Sequence, residues 1–532
     1  MEEQKNETVN VQQPEQLTGL VNNQAQTVDN IVSEAVNQPT TEDSLSKESN
    51  VFESSLEQEM MAKANELLSQ RNMREGQMVD IVLGMISDGV VSKEKEIDSL
   101  LEASKGQCQN KLRETVVKEI IRSANGLLWC PEYSEKAHSD QLVKVYTGSH
   151  WESVEPQQWK DFVGRCAEKC GIPESMCMTP SFMKPLYESA AFNFAENRRQ
   201  LIPDGEVWLN VRNGTLVIKK DGKVMLHDHC KEDLFTYTLN YAYDHRAVCP
   251  LWDVFVNRVL PEKESQMVLA EFIGYCLMPN HSLEKMLMLY GGGQNGKSVT
   301  LEIIEALLGS CNVSYLSLSD LTNDDVKRAS IEHKLLNVSH ESGKDVNPNV
   351  LKQLTSGERV LIKHLYADPR DTNDYGKFIA AFNELPRAEN TFGFFRRLII
   401  LPYEVTITKE EIDRQLATKL KAELPGILNW VLKALPPLMT RGEFTVSEKC
   451  EKALERYRLQ SDNVRLFVNE ICEPSEFTIK STDVYEAYAK YCFASSLKPK
   501  GRNTFYDRME SLGYTRTEYA HVKFFYIKLK EV

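Results

Sequence analysis

The 532-residue chain has no apolar run long enough to cross a bilayer as a helix, so no membrane span is expected. Its first residues lack the basic start and apolar core of a signal peptide. Its twelve cysteines show neither the paired spacing of a disulfide framework nor the CxxC pairs of a zinc site. The tightest group, Cys166, Cys170 and Cys177, has no histidine near it. Reduced thiols and a cytoplasmic setting, in a bacterial host, are the expectation. Internal repeats are also absent. Residues 1–60 are almost without basic residues: twelve acids face only Lys5 and Lys47, so most of the net charge of −14 sits there. Phe52 is the one aromatic of the first 55 residues. A segment so poor in apolar groups cannot offset its ordering entropy, and residues 1–55 read as a disordered acidic tail.

The remainder holds enough apolar residues for true cores. Residues 56–110 read as helical, from the three- and four-residue apolar steps of MMAKANELLSQ, and KLRETVVKEIIRSA continues the pattern. A mixed α/β domain is expected over 111–284. It has a hairpin turning at Gly148, short strands with turns at Asn213-Gly214 and Asp221-Gly222, and helices from 251. Residues 285–440 alternate strand and helix, the texture of an α/β nucleotide-binding domain. The strand candidates are Met286–Tyr290, Leu335–Ser339, Phe378–Phe382 and Leu398–Leu401. Pro425 opens a helix, GILNWVLKAL. Residues 441–532 form a charged helical linker and a small C-terminal unit.

At the centre stands GGGQNGKSVT, after an apolar strand and before a helix. It satisfies GxxxxGK[ST]. Glycines let backbone N–H groups turn onto phosphate oxygens, and the helix N-terminus directs its positive end at the same anion. The candidate nucleotide-binding residues are Gly291, Gly292, Gly293, Gln294, Asn295, Gly296, Lys297, Ser298 and Val299. Lys297 suits the β and γ phosphates of ATP, and the Ser298 hydroxyl suits Mg²⁺. A chance glycine-rich turn would not need strand, loop and helix in this order.

An NTPase also needs an acid at the end of a neighbouring strand, for Mg²⁺ and the attacking water. Glu341, at the end of KLLNVSHE, is the candidate for both; a surface acid after an edge strand is the alternative. FIAAFNELP ends at Asn383, which can orient water at the γ phosphate or simply make a turn before Pro386. Arg396 and Arg397 precede the apolar strand LIILP, and can either reach a neighbour's ATP or form internal ion pairs.

GGGQNGKS, LLNVSHES, LKQLTSGERVLIKHLY, FIAAFNELP and FFRRL, in this order, resemble the superfamily 3 helicases of viruses, phages and plasmids. More narrowly, they resemble the phage, plasmid and poxvirus type of primase-helicase. WLNVRNGTLVI, YAYDHRAVCPLWDVFV and EFIGYCLMP resemble the region preceding that ATPase, and ELPGILNWVLKAL the helical segment after it. The likeness covers about residues 110–440. It implies an AAA+-like P-loop NTPase core and a hexameric ring of this chain. It implies ATP hydrolysis between subunits and movement on single-stranded or forked DNA, typically 3′ to 5′. By position, Gly291 to Ser298 matches the Walker A loop, Glu341 the Walker B acid and Asn383 the sensor asparagine. Arg396 or Arg397 matches the arginine finger. Lys363-His364 resembles the Lys-His pair on the channel hairpin of papillomavirus and polyomavirus helicases. Lys363 would then meet DNA phosphate and His364 would hydrogen-bond or stack.

Two departures stand out. Many relatives carry two adjacent acids at Walker B, whereas His340 and Ser342 flank Glu341 here, and Asp345 lies further on. Nothing resembles a primase domain, so priming is expected from a separate primase or polymerase.

In the C-terminal unit, STDVYEAYAKYCFASS and GRNTFYDRMESLGY read as helices and YTRTEYAHVKFFYIKLK as two strands, the outline of a winged helix. Eight basic residues face three acids between Lys498 and Lys530. The candidate DNA contacts are Lys500, Arg502, Asn503, Arg508, Arg516 and Lys523; a solvated, protein-docking face is the alternative. The sequence thus reads as an ATP-dependent DNA helicase replicating a phage, prophage or plasmid-like element. The rivals are an origin-binding initiator that melts DNA without processive unwinding, and an ATP-driven protein remodeller.

Overall fold

The computed structural model describes residues 77–104, 108–131, 143–198, 200–340, 346–365, 368–385, 392–495, 497 and 499–530. The expected acidic tail, the first part of the 56–110 segment, and Glu341 lie outside the described residues.

Three helices come first: α1 (Gln77–Asp88), α2 (Glu94–Ser104) and α3 (Gln109–Ala124). A small antiparallel sheet follows, of β1 (Leu128–Trp129), β2 (Lys144–Tyr146) and β3 (Trp151–Ser153), with Gly148 at φ +90° in the β2–β3 turn. Helices α4 (Pro156–Cys170) and α5 (Pro180–Asn193) pack against α3. Next come β4 (Glu206–Val211), β5 (Gly214–Lys219) and β6 (Val224–His227), a second three-stranded antiparallel sheet. The β5–β6 turn holds the expected Asp221-Gly222, while the β4–β5 turn is Arg212-Asn213, one residue before the expected pair, with Gly214 already paired to Val211. Helices α6 (Pro250–Val259) and α7 (Lys263–Leu277) lead to the centre of the molecule.

There, β7 (Met286–Tyr290), α8 (Lys297–Leu308), β8 (Val313–Ser314), α9 (Leu318–Asn323), β9 (Leu336–Ser339), α10 (Pro348–Thr355), β10 (Val360–Ile362), β11 (Arg370–Thr372), β12 (Lys377–Phe382) and β13 (Leu398–Pro402) follow one another. Five of these strands form one wholly parallel sheet in the order β13-β7-β12-β9-β8, while β10 and β11 pair as a separate antiparallel hairpin. All four strand candidates of the central region are present within a residue of their expected ends. The fifth, β8, escaped notice because two residues carry no readable period.

The sheet is buried on both faces, as a parallel sheet requires. Period-two alternation assigns each side chain to a face. Leu287 and Leu289 of β7 and Ile399 and Leu401 of β13 join one core; Met286, Met288, Leu398 and Ile400 join the other. The first core also takes in β4, β5, α6, α7 and α8, so the strands before the sheet share apolar burial with it. It is closed by α11 (Leu416–Lys421) and α12 (Leu424–Arg441). Helix α12 continues past Pro436 and Pro437 to Arg441, beyond the stretch GILNWVLKAL read from the sequence. Its last turn is held by buried Leu438 and by Arg441, whose guanidinium donates to the buried Glu271 carboxylate at 2.6 Å.

Helix α13 (Glu448–Ser461) packs along β13 and leads to α14 (Asn463–Ile471). Then come β14 (Cys472–Lys480), α15 (Ser481–Ala494), α16 (Arg502–Ser511), β15 (Arg516–Tyr519) and β16 (Val522–Leu529). They enclose their own core around Phe467, Tyr488, Phe505 and Phe525. The sheet here has three strands, β14-β16-β15, one more than expected. The polar face and Pro474 of β14 hide its strand character, and its pairing with β16 shifts register between Pro474 and Thr478. Among the described residues no helix is long and apolar enough to cross a membrane.

Candidate nucleotide-binding site

The loop after β7 lies at the carboxyl end of the parallel sheet, where ligands bind in open α/β folds. Its path leaves no room for side chains at two glycines. A Cβ on Gly291 would come within 2.3 Å of both Asn295 Nδ2 and the Tyr403 carbonyl oxygen. Gly296, at φ +89°, caps α8, and a Cβ there would meet Val259 Cγ1 at 2.7 Å. Asn295 is buried, and its Nδ2 donates to the Tyr403 carbonyl at 3.2 Å. Backbone N–H groups tie the loop down: Gly291 donates to the Phe382 carbonyl at 3.1 Å, and Ile407 to that of Gln294 at 2.7 Å.

Lys297 is buried at the first position of α8. Its ammonium donates to the Gly291 carbonyl at 2.6 Å, Asn295 Oδ1 at 3.1 Å and Asn383 Oδ1 at 3.2 Å. Every one of these acceptors is a neutral oxygen. Burial lowers its pKa from the usual lysine value. Asn383 follows β12, directly beside β7, with Phe382 opposite Tyr290. Two residues chosen separately in the sequence are therefore brought into contact by the sheet order. Ser298, next along α8, is exposed, and Val299 is half-buried. Gly292 and Gln294 are exposed and Gly293 is half-buried. A cavity of about 750 Å³ opens beside Gly291–Asn295, walled by Pro402–Thr406 and by α13.

These groups fit a magnesium–nucleotide complex. The loop presents a tied-down backbone, a buried ammonium held, among the described residues, by neutral oxygens, and an exposed hydroxyl at a helix N-terminus. Ser298 would hold Mg²⁺; the other expected ligand, Glu341, is outside the described residues. The described strand β9, which leads to it, neighbours β12 in the sheet.

Arg396 and Arg397 behave differently from each other. Both precede β13, and Leu398 pairs in parallel with Met286 at the start of β7. They lie at the amino end of the sheet, roughly 15 Å along the strands from the loop of their own chain. Arg397 is packed inside: it donates to Ser356 Oγ at 2.8 and 3.0 Å and to the Gly393 carbonyl at 2.6 Å. Arg396 is half-exposed, paired with Glu284 at 2.7 Å.

The β10–β11 hairpin carries Lys363 and His364. Lys363 is half-buried, and its backbone N–H donates to the Asp325 carbonyl at 3.0 Å. His364 is engaged: its Nε2 lies 3.1 Å from Glu332 Oε2, a buried carboxylate oxygen that also accepts from Arg370 at 2.6 Å. Glu332 was not singled out in the sequence, where an acid 32 and 38 residues from its partners on the hairpin gives no signal.

The C-terminal candidates divide. Arg502 and Asn503 are exposed on the first turn of α16, and Lys523 is exposed on β16. Arg502 stacks over Tyr485 at 5.3 Å. Lys500 is half-buried and its carbonyl accepts from the Tyr485 hydroxyl at 2.9 Å. Arg508 and Arg516 face inward. Arg508 donates to the fully buried Asp462 at 2.7 and 2.8 Å. Arg516 pairs with Glu510 at 2.6 Å and lies 4.8 Å over Tyr506. Both are internal struts in this structure, because a buried carboxylate and an aromatic face hold them.

Residues 129–261 match the family model described as D5 N terminal like, a domain found in primase-helicase family proteins. Residues 289–397, which hold the loop, Lys363, Asn383 and both arginines, match a family of unknown function, DUF5906. The chain is 23% identical over 193 residues to "Putative helicase L207/L206" of Acanthamoeba polyphaga mimivirus, covering 34% of this chain and 20% of that protein. It is 23% identical over 329 residues to "Putative helicase 121R" of Invertebrate iridescent virus 3, covering 52% of this chain and 34% of that protein. The chain therefore spans about a fifth and a third of the length of these relatives. A solved apo structure of the NrS-1 C-terminal region aligns with a TM-score of 0.44 at 10% identity, over 78% of this chain and 99% of that one. The chain thus carries a D5 N terminal like domain, found in primase-helicase family proteins, and is similar at low identity to viral putative helicases, in line with the resemblance read from the sequence.

Proposed function

We propose that this protein is an ATP-dependent DNA helicase of superfamily 3 type, serving replication of a phage, prophage or plasmid-like element. The carrying observation is the convergence of Lys297 and Asn383 at the carboxyl end of a wholly parallel sheet, over a loop whose glycines leave the backbone free for phosphate. The strand order places the loop-bearing β7 between β13 and β12, with β9 next, which suits a P-loop core of AAA+ type. ATP would lie along the loop with Lys297 at its β and γ phosphates. Bound Mg²⁺ supplies charge neutralisation there, with Ser298 and Glu341 as its protein ligands. Glu341 orients the attacking water, and Asn383 positions it against the γ phosphate.

Arg396 is the arginine finger and Arg397 its internal support. A half-exposed guanidinium at the far end of the sheet can serve a neighbour's nucleotide but not its own. Such an exchange requires a ring of copies, of which the hexamer is the family form. Lys363 and His364 grip single-stranded DNA on the channel hairpin. Movement is 3′ to 5′.

A second reading, an initiator that melts an origin, is favoured by one feature. The C-terminal unit has helices and a three-stranded sheet that suit a winged helix, with Arg502 and Asn503 exposed at a helix start and Lys523 on a strand. Duplex binding by that unit and strand movement by the ring are compatible.

The test is ATP turnover with and without single-stranded DNA, alongside displacement on a forked duplex with a 3′ tail. DNA-stimulated turnover with displacement is the expected result, abolished in Lys297→Ala. Lys363→Ala should keep turnover and lose displacement. Turnover indifferent to DNA and without displacement would overturn the helicase reading.

A further inference from the structure

The hairpin that carries Lys363 stands on the short stretch 325–333, which precedes β9 and belongs to none of the helicase motifs. Buried Arg328 donates to the Leu321 carbonyl at 2.6 Å and to the Leu361 carbonyl on β10 at 2.7 Å. The Lys363 N–H donates to the Asp325 carbonyl at 3.0 Å. At its other end the stretch is stitched to the chain between β11 and β12. Glu332 forms a bridge with Tyr375, the His333 N–H donates to the Asp374 carbonyl at 3.0 Å, and His333 Nδ1 lies 2.7 Å from Asp374 Oδ2. The Glu332 backbone is thus a fixed post, and its side chain is only 5% exposed.

One oxygen of that carboxylate, Oε2, takes a group from each side of the hairpin. It accepts from Arg370 of β11 at 2.6 Å and lies 3.1 Å from Nε2 of His364, two residues after β10. Arg370 pairs with Ile362 in the hairpin register, so the two contacts clamp both strands near the same level. A buried carboxylate is costly unless its charge is matched, and Arg370 matches it. Lys363, between Ile362 and His364, has no ion pair with any described residue, and His364 Nδ1 has no hydrogen bond with one. The clamp therefore occupies Arg370 and one face of His364 and leaves the Lys363 ammonium available.

We propose that Glu332 is a positioning residue for DNA binding: by clamping His364 and Arg370 it fixes the part of the hairpin from which Lys363 meets phosphate. The proposal rests on the reading of this hairpin as the grip on single-stranded DNA. Charge and position make opposite demands on such a residue. An acid close to a phosphate-binding lysine opposes DNA binding by repulsion, so its removal, by charge alone, strengthens binding. A clamp that orders the hairpin in advance lowers the entropy lost on binding, so its removal weakens binding even though the hairpin becomes one charge more positive. The sign of the change therefore separates the two roles.

The experiment is fluorescence anisotropy of labelled oligo-dT titrated with the full chain in the presence of AMPPNP and Mg²⁺, with ATP turnover at saturating oligo-dT measured beside it. It compares the parent with Glu332→Gln, Glu332→Asp, Lys363→Ala and the Glu332→Gln, Lys363→Ala double variant, with melting temperatures recorded for all. Glu332→Gln should bind oligo-dT about tenfold more weakly, the size of a lost charge-assisted contact, with turnover at saturating DNA within about twofold of the parent. Glu332→Asp keeps the charge but is one methylene short of the clamp, and should weaken binding in the same direction. In the Lys363→Ala background, Glu332→Gln should add less than about threefold, because the group it positions is gone. Unchanged or tighter binding in both Glu332 variants, with Lys363→Ala weakened, overturns the proposal and leaves the grip reading standing. A lowered melting temperature with binding and turnover lost in equal measure in both Glu332 variants also overturns it, in favour of a purely structural acid. If Lys363→Ala binds oligo-dT like the parent, the grip reading itself falls, and the proposal with it.

Discussion

The ammonium of Lys297 lies 3.2 Å from the side-chain oxygen of Asn383, although 86 residues separate them in the chain. The contact exists because β12 inserts beside β7, so the residue after one strand meets the loop after the other. It predicts a division of labour. Lys297→Ala should abolish nucleotide binding and turnover. Asn383→Ala should leave the dissociation constant for AMPPNP within about threefold and lower kcat by about a hundredfold, as loss of a group acting mainly in the transition state would. Equal losses in binding and kcat would assign Asn383 to holding the loop.

The two arginines before β13 should separate cleanly. Arg397→Ala removes donors to Ser356 and Gly393 and should lower the melting temperature by several degrees, about 1–3 kcal/mol of stability. Arg396→Ala should melt like the parent and lose turnover. Mixing Arg396→Ala with Lys297→Ala chains should restore part of the activity, because mixed interfaces regain one intact loop and one intact finger. Absence of any recovery would remove the trans role from Arg396.

Arg508 and Lys523 make a second such pair. Arg508→Ala strands the fully buried Asp462 carboxylate between α13 and α14 and should cost about 3 kcal/mol. Lys523→Ala should leave stability unchanged and weaken duplex binding, with a salt dependence shallower by about one contact. A Lys523→Ala chain that binds duplex like the parent at every salt concentration would take that strand out of the DNA interface.

Two buried bases each cost stability as pH falls, in two separate windows. Burial holds Lys377 at about 8, against 10.5 for a free lysine; its ammonium donates to the Met278 carbonyl and lies 5.0 Å over Tyr275. Between pH 8 and 10.5 the unfolded chain keeps this proton and the folded chain does not, so stability rises with pH across that window. Lys377→Met lacks that rise, and the parent should gain on it by about 3 kcal/mol over the window. A constant difference in denaturation free energy from pH 8 to 10.5 would contradict this.

On the acid side, burial, helped by the Lys377 charge, pushes His281 down to about 4 from 6.5. The neutral ring donates from Nε2 to the Gly376 carbonyl at 3.0 Å. As pH falls from 6.5 to 4 the unfolded chain takes up the proton first, so stability is lost over that interval. His281→Gln should show a shallower acid limb in urea titrations. An acid limb unchanged in slope would exclude His281 as its source.

Much of this site is legible in the sequence because its parts are local. Gly291, Gly296, Lys297 and Ser298 declare themselves by spacing, since a loop that wraps phosphate needs glycine and lysine at fixed steps. The four longer strands of the parallel sheet show as apolar runs, since each is buried on both faces. Strand β14 does not, because its polar exposed face and Pro474 conceal it. The difference between Arg396 and Arg397 is invisible in FFRRL, where both are simply basic.

The sequence by itself determined the kind of chemistry: a phosphate loop, an acid and an amide after later strands, and basic residues on a hairpin and in the C-terminal unit. Those readings depend on residue type and on short-range spacing, which the chain carries in one dimension. Only the tertiary structure decided which groups meet. Strand order set Asn383 against Lys297, and parallel register sent both arginines to the far end of the sheet. Packing of α13 on β13 turned a merely charged helix into a wall of the cavity beside Gly291–Asn295. Burial committed Arg508 to the Asp462 carboxylate inside the protein, while Arg516, packed over Tyr506, pairs with Glu510 at the surface. Contacts between distant segments follow from which apolar faces must be buried together, and that is settled by the whole core at once.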